Sequence, residues 1–150
     1  MSHRMTHRSL LGLAMILAIL PAAARAQEGP PLDIRPHTIQ AQLEASLRLQ
    51  QMALQRLDTP SEAARLAWDA YVMLRAAHQN LQGNIQHSKF PNPLFQVASP
   101  KLQTARDHLL WAREMIMNSD RVTDGNPTER AAERLRQSSQ LIELVLITSF

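Results

Sequence analysis

Apolar residues recur at helical spacing along four separate stretches of the chain, and no segment alternates at period 2 for long enough to make a strand. Each residue advances about 100° around a helix axis, so positions three and four apart share a face. In the first stretch Ile39, Leu43, Leu47, Leu54 and Leu57 form such a stripe, interrupted by Ser46 and Gln50. The second aligns Ala63, Ala67, Ala70, Leu74, Ala77, Leu81 and Ile85, and its small side chains permit close helix approach. The third aligns Leu102, Ala105, Leu109, Ala112 and Ile116; the fourth aligns Ala131, Leu135, Ser138, Ile142, Val145 and Leu146.

Four prolines mark where these helices begin. Thr59-Pro60 with Glu62, and Asn126-Pro127 with Glu129, pair a capping side chain with a proline whose missing N–H costs nothing in the first turn. Ser99-Pro100 reads the same way, and Pro36 gives a looser start. The pattern predicts an all-α protein, an antiparallel up-down four-helix bundle with helices over roughly 36–57, 60–86, 99–119 and 126–149. Short links after residues 57 and 119 favour antiparallel neighbours. The longest connection, residues 87–98, holds Phe90, Leu94 and Phe95, which are expected to plug one end of the bundle.

The N-terminus follows other rules. "MSHRMTHRSLLGLAMILAILPAAARA" has a basic start, an apolar run from Leu10 to Leu20, and a small-residue site ending in Ala24-Arg25-Ala26. This is the form of a secretory signal peptide cleaved after Ala26. The run is shorter than the about 20 residues a bilayer span requires, so no membrane span is expected after cleavage. The organisation is thus a leader over 1–26, a flexible lead-in over 27–35 and the bundle over 36–150. The destination is the periplasm or the outside of the cell.

Cleavage changes the charge. Of 16 Lys+Arg residues, Arg4, Arg8 and Arg25 leave with the leader, whereas all 13 Asp+Glu remain, so the mature balance is 13 − 13 = 0. Without a basic stripe a nucleic-acid partner is not expected. The absence of cysteine removes disulfides, thiolate nucleophiles and covalent haem. No H-E-x-x-H, G-x-S-x-G or glycine-rich phosphate loop is present, and Glu62 and Glu114 are followed at the di-iron spacing by Arg65 and Met117.

Two sets of residues exceed what packing requires. Trp68 and Val72 on the second helix, and Trp111 and Met115 on the third, lie well off the core stripes at similar heights, and tryptophan with methionine is enriched in interface cores. With turns centred near 58 and 93, His37, His78 and His108 fall at roughly one level, as a metal or haem site would need. Arg106 and Arg113, seven apart, flank the third stripe; they either cover apolar surface and pair with acids such as Glu143, or receive an anionic ligand.

In length and class the outline is similar to periplasmic b-type cytochromes and stress chaperones. The cytochrome pattern of a methionine early in the first helix and a histidine in the last is not matched, since Met52 is late and residues 126–149 hold no histidine. The expectation is an exported, non-enzymatic bundle without a cofactor, acting through protein contacts with another protein or as a homodimer. The alternative is a transition-metal or b-type haem bundle using His37, His78 and His108.

Overall fold

The computed structural model describes residues 31–121 and 125–150. The expected leader, its cleavage site and residues 27–30 lie outside them. Four helices follow one another: α1 (Pro36–Gln55), α2 (Pro60–His87), α3 (Leu94–Met117) and α4 (Pro127–Ser149). Packing joins α1 to α2, α2 to α3, α3 to α4, and α1 to α4. The protein is an all-α bundle with no strand among the described residues. No described helix is long and apolar enough to cross a membrane.

Three of the four starts obey the local signals. Pro36, Pro60 and Pro127 each open a helix, and Asn126 accepts the Glu129 N–H through its side chain at 3.2 Å. Gly125, at φ 84°, takes the left-handed turn just before that cap, where a Cβ would be strained. Thr59 sits at the N-cap of α2, but its side chain makes no capping bond. At α1 no side chain caps the first-turn N–H groups; Asp33 instead fixes the entry, accepting the Arg35 N–H at 3.1 Å and the Thr38 hydroxyl at 3.0 Å. The Arg35 side chain, hydrogen-bonded to that carboxyl, holds it well below the usual carboxylate range.

The third start is a correction. Helix α3 begins at Leu94, and Pro100 lies inside it, in the second turn. Ser99 therefore caps nothing. The Gln96 carbonyl, which would have received the Pro100 N–H, is on an exposed residue and can be hydrated. Asn92 supplies the cap instead, accepting the Leu94 N–H at 3.0 Å. Its amide also donates to the Ser149 carbonyl and its backbone N–H to Asn84 Oδ1, both at 3.3 Å. The early start carries Phe95 into full burial, with its ring 5.2 Å from Phe150. Phe95 is thus the plug, whereas Phe90 (83% exposed) and Leu94 (48%) stand outside it.

Every residue of the α2 and α3 stripes is buried except Ile85, which packs against the core at its edge. The α1 stripe is different. Ser46 and Gln50, the polar positions within it, are fully buried, while Leu47, Leu54 and Leu57 flank the core. Burying amides and hydroxyls is tolerable only when they are hydrogen-bonded. Here Ser46 donates to the Ala70 carbonyl at 2.8 Å, the Gln50 amide to Ser46 Oγ at 3.2 Å, and Ser139 to Gln50 Oε1 at 3.1 Å. The result is a polar layer across α1, α2 and α4, in which the buried Ser138 Oγ has no partner.

The last part of the lead-in is docked. The Asp33 N–H donates to Asn80 Oδ1 and the Asn84 amide to the Ile34 carbonyl, each at 2.9 Å. Gly83 allows the approach, since a Cβ there would stand 2.8 Å from Leu32 Cδ2 and 2.9 Å from Ile34 Cγ2.

Candidate functional site

Among the described residues two hollows border Trp111 and a further one continues along the seam beside it. One hollow of about 230 Å³ is lined by Trp111, Glu114, Met115 and Asn118 of the α3 side and by Pro127 and Arg130 of α4. A wider one of about 480 Å³ continues along the same seam between His108, Met115, Arg130, Glu133, Arg134 and Gln137. On its other flank Trp111 borders a third hollow with Leu110 and Glu114. The indole is 57% exposed, and the Arg134 guanidinium lies 6.0 Å from its ring centroid. A large apolar ring left in water amid shallow concavities has the form of an anchor for a partner.

The α2/α3 seam is built around His78, whose side chain is buried between the helices. Arg106 donates from Nη1 to His78 Nδ1 at 3.1 Å and from Nη2 to the Tyr71 hydroxyl at 3.3 Å. A guanidinium can only donate, so Nδ1 is the acceptor and the proton resides on Nε2. That N–H donates to Ser99 Oγ at 2.9 Å. Burial first, and the Arg106 charge second, push the imidazole pKa down to about 4.

A serine oxygen at this distance from an imidazole invites comparison with a nucleophile and its base. The polarity is inverted. A catalytic imidazole needs a bare Nε2 to take the hydroxyl proton and an acceptor at Nδ1 to steady the imidazolium that forms. Arg106 stands where the acid would be, so it fixes the opposite tautomer and penalises the cation. The Ser99–His78 pair ties α3 to α2 and is not arranged to generate an alkoxide.

The expected metal residues separate. His78 lies on the α2/α3 seam, His108 on the α3/α4 seam, and His37 is exposed in the first turn of α1. No group of three His, Cys, Asp or Glu side chains placed to hold a metal occurs among the described residues. Arg134 donates to His108 Nδ1 at 2.9 Å, repeating the device at His78. Burial, then the Arg134 charge, lowers the His108 pKa, with Asp107 opposing. The common level inferred from turn positions brought together heights but not faces.

The expected interface residues also divide. Trp111 and Met115 line the α3/α4 hollows together. Trp68 is 40% exposed but belongs to the other seam, with its ring 5.3 Å from Tyr71 and the Arg113 guanidinium 4.7 Å above it. Val72 is half-buried on α2. Sequence reasoning missed Tyr71, Arg75 and Arg134. Arg134 had a signal, since it stands about 40° from Ser138 on the helical wheel, at the edge of the stripe. No protein-family model matches the chain, and neither the curated proteins nor the solved structures contain a match to it.

Proposed function

We propose that this chain is an exported, non-enzymatic protein that works by binding, and that it binds a second copy of itself through the α3/α4 face centred on Trp111. The observation that carries the reading is Trp111 itself, 57% exposed and bordered by hollows on both flanks. The composition of that face favours a like partner. Glu114 and Arg130 line one hollow together with Trp111 and Met115, so a two-fold arrangement sets acid against base twice while the indoles fill apolar space. A mature net charge of zero adds no repulsion between copies.

Export rests on the leader and its Ala24-Arg25-Ala26 site. An up-down antiparallel course is supported by the pairs that join sequential helices. Gln42 meets Asn80 while Ser46 meets Ala70, and His78 meets Ser99 while Tyr71 meets Arg106, so numbers rise on one helix as they fall on the next.

Light scattering coupled to size-exclusion chromatography of the chain from Gln27 tests the reading. The expected result is a concentration-dependent dimer that Trp111→Ala converts to a monomer with its melting temperature nearly unchanged. A monomer at every concentration refutes self-association.

A further inference from the structure

The α2/α3 seam holds an excess of positive charge that its own acids do not answer. Arg75 and Arg106 both lie close to the Tyr71 ring, with guanidinium carbons 5.9 and 5.7 Å from its centroid. Arg113 continues the row one step along, 4.7 Å over Trp68, which itself leans on Tyr71. The four carboxylates of these two helices are engaged or directed elsewhere. Glu62 faces Arg56, Asp69 pairs with Arg65 at 3.0 Å, Asp107 accepts from Gln103, and Glu114 lines the hollow beside Trp111. Among the described residues no carboxylate lies within 4.0 Å of Arg75, Arg106 or Arg113.

Burial sharpens the imbalance. Arg106 and Arg113 are half-buried, and the Nε–H of each is shut away from solvent without an acceptor. Half-buried cations are retained at a cost unless a counter-charge completes them. Aromatic faces answer part of that cost, because the ring quadrupole attracts a guanidinium. They provide no oxygen for the remaining N–H groups, and a planar guanidinium fork matches carboxylate and phosphate oxygens. His78, neutral in its Arg106-bound tautomer, contributes no competing charge and holds Arg106 in place.

We infer that the α2/α3 seam is a binding site for a multivalent oxyanion of the phosphate class, held by Arg75, Arg106 and Arg113 beside Trp68 and Tyr71. Three guanidiniums along one seam without a carboxylate partner favour a dianion over a single carboxylate. The phosphate can be free in solution or carried on a lipid headgroup, and the two are separable by experiment. This site lies on the opposite flank of α3 from the Trp111 face and stands independently of self-association.

The test uses the chain from Gln27 with Trp111→Phe, which leaves Trp68 as the sole indole. Inorganic phosphate is titrated against chloride at matched ionic strength, with Trp68 fluorescence as the readout, because an anion drawing Arg113 off the ring changes its quenching. The expected result is a saturable change with phosphate and none with chloride, weakened at least tenfold in Arg106→Gln and in Arg75→Gln. A parallel arm adds vesicles of phosphatidylcholine with and without phosphatidic acid; a response to those vesicles alone assigns the lipid-borne source. No saturable response in either arm, or an equal response in both arginine variants, overturns the site. Far-ultraviolet circular dichroism of each variant confirms that a lost response does not come from unfolding.

Discussion

Acid should destabilise this protein through His78. The imidazole pKa is about 4 when folded and has an ordinary value of 6.5 when the chain is open. Because the folded value is the lower, the unfolded state takes up the proton first. The stabilisation is fully present above about pH 6.5 and is lost as pH falls toward 4. Linkage over the whole window amounts to about 3 kcal/mol, of which about 2 kcal/mol falls between about pH 7.5 and about pH 5. Burial of the side chain, and Arg106 facing Nδ1 from α3, make the cation costly, while Ser99 and Tyr71 bring no negative charge to offset it. His108 adds a smaller effect of the same sign. Urea unfolding followed across this range should show the midpoint falling with pH at constant slope, and His78→Gln should remove most of the dependence. The reasoning fails if the variant keeps the full pH dependence, or if the His78 ring resonance in the folded protein titrates near 6.5.

The structure also ranks substitutions that look alike in sequence. Asn126→Ala should cost about 1 kcal/mol, as loss of a bonded N-cap does, whereas Thr59→Ala should cost a few tenths at most, because its side chain caps nothing; thermal melts separate them. Phe95→Ala should cost about 3 to 5 kcal/mol and Phe90→Ala less than about 0.5 kcal/mol, measured by urea unfolding, since one ring is fully buried and the other stands in water. In the polar layer Ser138→Ala should be neutral or slightly stabilising, because its hydroxyl is buried without a partner. Ser46→Ala should cost about 1 to 3 kcal/mol by leaving the buried Gln50 amide unpaired and removing the link from α1 to the Ala70 carbonyl of α2.

The number of helices, three of their four starts and the inner stripes of α2, α3 and α4 follow from the sequence by itself. These features come from interactions within a few residues: the helical period of apolar side chains and proline in the first turn, where its missing N–H is harmless. The fourth start shows where local rules stop. Asn92-Pro93 and Ser99-Pro100 are equivalent signals within one segment, and nothing nearby ranks them. The choice was made at a distance, by burial of Phe95 against Phe150 and by the bonds from Asn92 to Asn84 and Ser149.

The site residues depended still more on tertiary structure. Helical spacing showed that Trp68 and Trp111 leave the core stripes, but the neighbouring helices decided that one lies under Arg113 and the other opens onto the α3/α4 hollows. Similar heights suggested that three histidines meet, yet a height fixes position along a bundle axis and not the seam a side chain enters. The same holds for Ser46 and Gln50, which look like breaks in a stripe until partners from α2 and α4 make them a buried layer. Local periodicity therefore determined the elements and their inner faces. Only the packing of helix on helix decided which charges, rings and amides confront one another, because those confrontations depend on side chains far apart in the chain.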